Sequence, residues 1–145
     1  EDFDLASDTW TAKASLPTAL GYNTADLLPN GKILVSSGTH SDQTDYPNRS
    51  YLYTPGSPGS WTTTGSFPFQ VESPATVKLP DGKVLRCGGY SPDLSAVVSD
   101  CYEFNPATGA FDTVGSMNVA RTNFPMVLLP SGDGLVGGGA TTENR

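Results

Sequence analysis

The stretch LLPNGKILVSSG, residues 27–38, returns as KLPDGKVLRCGG at residues 78–89 and as LLPSGDGLVGGG at residues 128–139. The copies start 51 and then 50 residues apart. Self-similarity at such a period marks stacked units that cannot bury their apolar faces alone. Each copy encodes a hairpin: Pro29 presets φ at the first central turn position, Asn30 tolerates the next, and Gly31 supplies the left-handed conformation that closes the turn. Pro80, Asp81 and Gly82 repeat the specification, and Pro130, Ser131 and Gly132 repeat it again. The pattern predicts incoming strands over residues 22–28, 73–79 and 123–129, and outgoing strands over 32–36, 83–87 and 134–137. A turn with a glycine bulge joins each pair. The outgoing strands are nearly continuous apolar runs, as expected where both faces are covered.

Working outward, SYLYTPGSPGSW (residues 50–61) and CYEFNPATGAF (residues 101–111) stand in register as a third strand, a Pro/Gly turn and a fourth strand. Trp10, Trp61 and Phe111 recur at the same spacings of 51 and 50, so each fills an equivalent slot between neighbouring sheets. The unit is a four-stranded antiparallel sheet of about 50 residues.

Composition agrees with an all-β chain. Hydrophobic residues make up 37% and charged residues 16%, and 16 glycines and 12 prolines separate short apolar runs. A formal charge of -7 leaves too few cations to clamp a phosphate backbone, which excludes nucleic acid as an expected partner. No apolar run approaches the ~18 residues of a membrane-spanning helix, so no membrane span is expected. The start, EDFDLASDTW, resembles neither a signal nor a transit peptide. Beginning at Glu1 and ending at Arg145, the chain fits a processed product, a proteolytic fragment or an excised piece.

The chain resembles the kelch repeat family of β-propellers. The resemblance rests on Gly88 and Gly89 closing the second strand, on Tyr102-Glu103-Phe104-Asn105-Pro106, on Gly109, and on the aromatic that opens the fourth strand. GSMNVART, residues 115–122, is similar to the inter-blade segment of bacterial and fungal kelch proteins, with Arg121 at the usual arginine. Ser37 departs from the glycine doublet, and Leu20 and Val71 replace the arginine in the first two repeats. The resemblance implies an all-β, kelch-type β-propeller with about three blades' worth of four-stranded antiparallel sheets, and it covers residues 3–139. Phe3 precedes Trp10 as Phe104 precedes Phe111. On that alignment residues 1–14 are the outer strands of a split blade, 15–64 and 65–114 are blades, and 115–145 hold the inner strands of the split blade. A closed propeller needs ~4–8 blades. The expected completion is a six-bladed homodimer by shared blades, or the remaining blades of a longer parent chain.

Adding the repeat offset to Ser36 and Ser50 gives Cys87 and Cys101. Replacement of both serines in one repeat points to cross-strand neighbours and a disulfide, the alternative being two buried thiols. A disulfide implies an extracellular or periplasmic location. The tight turns lie on one face of the disc, so the longer connections share the other face. That loop face contains residues 39–49, 90–99 and the inter-blade segments 15–21, 66–72 and 116–122. Loops on a rigid scaffold concentrate binding residues. The ligand-binding candidates are therefore His40, Asp42, Tyr46, Arg49, Tyr90, Asp93 and Arg121.

No catalytic constellation forms around the single histidine, His40. Asp42 and Asp45 lack the ordered ligands of a calcium loop. Neither a metal nor another cofactor is expected. The resemblance implies a noncatalytic module that binds a protein or a glycan. The enzyme alternative is the scaffold portion of a copper radical oxidase similar to galactose oxidase, whose site requires two His, two Tyr and a Tyr-Cys crosslink. A purely structural assembly unit is the third reading.

Overall fold

The computed structural model describes residues 1–39 and 48–142. The strands are β1 (Asp2–Asp4), β2 (Thr9–Thr11), β3 (Thr24–Leu27), β4 (Ile33–Ser36), β5 (Arg49–Thr54), β6 (Ser60–Ser66) and β7 (Ala75–Lys78). They continue as β8 (Val84–Cys87), β9 (Tyr90–Ser91), β10 (Ala96–Val97), β11 (Cys101–Asn105), β12 (Ala110–Val114), β13 (Met126–Leu128) and β14 (Gly134–Val136). Two four-stranded antiparallel sheets, β3-β4-β5-β6 and β7-β8-β11-β12, are the complete blades. The pairs β1-β2, β9-β10 and β13-β14 form separate two-stranded sheets. The fold is the expected all-β, kelch-type propeller architecture.

The three inner turns follow the sequence closely. Leu28 N–H donates to the Lys32 carbonyl and Gly31 N–H to the Leu28 carbonyl, both repeated at Leu79 and Gly82 and again at Leu129 and Gly132. Gly31, Gly82 and Gly132 have φ of 79°, 88° and 92°, which a residue with a Cβ adopts only under strain. The inner strands β3, β7 and β13 begin two or three residues later than the hydrophobic pattern predicts. Tyr22, Ser73 and Asn123 have φ of 58°, 49° and 55°, and this left-handed kink delays the extended conformation.

Adjacent sheets are stitched by peptide hydrogen bonds that recur at the repeat offset. Near the axis, Ser73 N–H donates to the Tyr22 carbonyl (3.0 Å) and Asn123 N–H to the Ser73 carbonyl (3.2 Å). At mid-radius, Gly38 N–H donates to Val71 and Gly89 N–H to Arg121. At the rim, Ala14 N–H donates to Pro58 and Gly65 N–H to Gly109. Between the complete blades lies a core of Leu28, Leu34, Val84 and Phe104, with Leu52 and Phe111 packed on it. A second core, Ala75, Cys87, Cys101 and Phe124, joins the second blade to β13-β14. The equivalent aromatic slots hold tilted pairs: Phe3–Trp10 at 5.1 Å, Tyr53–Trp61 at 4.9 Å and Phe104–Phe111 at 4.9 Å.

Cys87 and Cys101 are directly opposed on β8 and β11 and form a disulfide with Cα atoms 4.2 Å apart. The cross-strand reading of the paired replacement therefore holds.

Candidate functional site

Each inner strand runs from the loop face toward its tight turn, so the residues just before β3, β7 and β13 surround the axis on the loop face. Tyr22, Asn23, Ser73, Pro74, Asn123, Phe124 and Pro125 line an open groove there of about 360 Å³. Tyr22 is 68% exposed and Asn23 and Asn123 are also exposed, whereas Phe124 is buried beneath them. The left-handed kinks at Tyr22 and Ser73 turn their carbonyls toward the next blade, where the Ser73 and Asn123 N–H groups donate to them. Asn23 is oriented by its amide, which donates to the Leu20 carbonyl at 3.2 Å.

The second blade carries a projection absent from the sequence reading, the β9-β10 hairpin between β8 and β11. Two contacts hold it against the inter-blade segment. Glu72 and Tyr90 exchange peptide hydrogen bonds of 2.8 and 2.9 Å, and the Asp93 carboxylate accepts the Gln70 N–H at 2.9 Å. Leu94, at the tip, is exposed.

Of the candidates named from sequence, Tyr90 and Asp93 lie together on this hairpin. Arg121 adjoins them, because its carbonyl accepts the N–H of Gly89, next to Tyr90. Its guanidinium donates to the Gly138 carbonyl at 2.7 Å, an orientation that ties the inter-blade segment to the strand end. Arg49 stands apart, exposed at the start of β5 beside a register shift. His40, Asp42 and Tyr46 lie outside the described residues. Sequence reasoning missed Tyr22, Asn23, Ser73 and Asn123. The signal was present, since residues 22, 73 and 123 are one repeat position.

Beneath the loop face, Arg86 is 1% exposed. Its Nε donates to Ser37 Oγ at 2.7 Å, and the guanidinium carbon stacks 4.1 Å from the Phe67 ring centroid. Burial pulls this group down to about 10, with the Tyr102 and Asp100 charges opposing the shift, and it stays protonated at neutral pH. Among the described residues neither terminal nitrogen has a hydrogen-bond partner. Among the described residues the charge is held by the ring faces of Phe67 and, at 5.9 Å, Tyr102, and by one hydroxyl. Among the described residues no group of three or more His, Cys, Asp or Glu is placed to hold a metal ion.

No family model matches the chain. No curated protein matches it either. Among solved structures it is similar to a fungal alcohol oxidase with catalytic diversity among the AA5 family, in complex with copper. The TM-score is 0.72 at 21% identity, over 86% of this chain and 28% of that one. It is also similar to YjhT, with a TM-score of 0.72 at 16% identity, over 91% of this chain and 38% of that one. The chain thus spans well under half the length of either. What it shares with both is the fold, and its own sheets define that fold as kelch-type propeller blades.

Proposed function

We propose that the chain is a noncatalytic binding module whose loop face takes a carbohydrate or protein ligand. The observation that supports this is the axial groove, where the exposed Tyr22 ring stands among the amides of Asn23 and Asn123 and the hydroxyl of Ser73. An aromatic face beside a few fixed polar groups suits a sugar, whose ring stacks while its hydroxyls exchange hydrogen bonds. The β9-β10 hairpin, with Asp93 and Leu94, forms a raised rim for the same ligand. The disulfide supports an extracellular or periplasmic location. A glycan array probed with the chain should give hits that Tyr22→Ala weakens at least tenfold without changing the thermal midpoint. Silence on the array and in a pull-down would leave a purely structural role.

The likeness to a copper-containing alcohol oxidase favours a second reading, in which this chain is scaffold for chemistry elsewhere. The donor set does not fit such a centre here: the sequence has one histidine, and both cysteines are joined to each other. Stoichiometric copper in the intact natural protein would overturn the binding-module reading.

A further inference from the structure

We infer that the junction between the two complete blades holds a small monovalent anion, chloride or bromide, on the terminal nitrogens of Arg86. The site lies wholly between two finished sheets. Leu34 and Leu52 of one blade pack there against Val84 and Phe104 of the other. Two residues nearer the loop face, where strand side chains return to the same side, Ser36 and Ser50 stand on the first blade and Arg86 and Tyr102 on the second. The segment that joins the blades closes over them: the Phe67 ring lies against the guanidinium, and Gln70 Nε2 donates to the Gly38 carbonyl at 3.4 Å, beside the Ser37 hydroxyl that takes Arg86 Nε. An apolar layer thus gives way to a polar one.

That polar layer is unfinished. Among the described residues Arg86 Nη1 and Nη2, Ser50 Oγ and Gln70 Oε1 are buried without a hydrogen-bond partner. Among the same residues no carboxylate lies within ion-pair distance of Arg86. Buried charges are otherwise paired, and orphaned buried polar atoms mark an ion or a water. The next junction shows the same positions filled differently. Where Ser36, Ser50 and Arg86 stand in one, Cys87, Cys101 and Val136 stand in the other, a disulfide packed on an apolar side chain. The charge and the two hydroxyls therefore come together at one junction. Their chemistry sets the occupant: both guanidinium nitrogens donate, the Ser50 hydroxyl can donate, and one positive charge calls for one negative. Water alone would suit Gln70 Oε1 and leave the charge unmatched. With the Phe67 and Tyr102 rings against the guanidinium the donors are few, so a polyatomic dianion would leave most of its oxygens bare.

The site is independent of the axial groove, and so is its test. Melting midpoints are read while potassium bromide replaces potassium gluconate at constant ionic strength. The parent midpoint should rise with the logarithm of bromide, by about 3–6 °C per tenfold step above the dissociation constant. Arg86→Met should lose that rise, and Arg86→Lys, which keeps the charge on a single nitrogen, should keep a smaller one. Ser50→Ala removes one donor without touching the charge and should weaken the rise, which covers the case in which Arg86→Met does not fold. Crystals grown in bromide should show an anomalous peak against Arg86 Nη1 and Nη2. A flat response in the parent would overturn the inference and assign the two nitrogens to water or to a carboxylate of the chain. An equal response in the parent and Arg86→Met, or bromide peaks on the surface alone, would overturn it in favour of nonspecific salt binding.

Discussion

Arg86 occupies the position held by Val35 in the preceding repeat and Val136 in the following one, and it places a charge where they place an apolar side chain. A buried guanidinium with one hydroxyl partner among the described residues costs desolvation that the Phe67 and Tyr102 rings only partly offset. Arg86→Met should therefore be close to neutral, whereas Arg86→Ala, which also empties the space against Phe67, should cost about 2–4 kcal/mol. Urea denaturation of the two variants checks the order. Ser36 and Ser50 are both buried and stand where the next repeat has its bridge. Ser36→Cys with Ser50→Cys should form a second disulfide, worth up to about 3 kcal/mol for so short a loop. Intact mass with and without reduction, followed by a melting curve, decides it.

Between elements, the junction of β3 with β7 contains Asp26, a group the repeat pattern did not single out. Burial raises its carboxyl above the ordinary 3.8, and a hydrogen bond from Thr76 opposes the shift. The folded state thus holds this proton more tightly than the unfolded chain. Its contribution is fully present below 3.8 and is lost as pH rises through the folded value. Asp4 and Asp81 act oppositely, because backbone N–H donors from Ala6 and Lys83 lower their values, so their contribution fades as pH falls. Asp26→Asn should raise stability at pH 7 by roughly 1 kcal/mol. Its advantage over the parent should shrink on acidification, as read from denaturation midpoints across pH 3–7. The glycine doublets act at the same scale. A Cβ on Gly89 would run into Val71 and the Glu72 carbonyl, whereas one on Gly31 meets nothing within 4 Å. Gly89→Ala should abolish cooperative unfolding, and Gly31→Ala should cost only the ~1 kcal/mol of a left-handed turn residue.

At the scale of the whole molecule, the repeat made the fold legible because its constraints recur: the turn glycine and the aromatic slot are each written three times, and the pairing of second with third strand twice. The blade interior follows from such local rules. The groove did not, because Tyr22, Ser73 and Asn123 share a backbone conformation and no side-chain chemistry, so pattern matching on residue type passed over them. The β9-β10 hairpin escaped for the related reason that its residues, 90–97, do not repeat the sequence of the equivalent connection, residues 39–48. The disulfide has a bearing on this hairpin that concerns durability. Cys87 and Cys101 bracket residues 88–100 with a separation of 14, and the hairpin tip, residues 93–96, is exposed. A cut within those residues leaves both pieces bonded through sulfur and still paired as β8 and β11. Limited proteolysis should accordingly yield a nicked species that migrates as one chain until reductant is added, so that a cut in the rim leaves the blade whole.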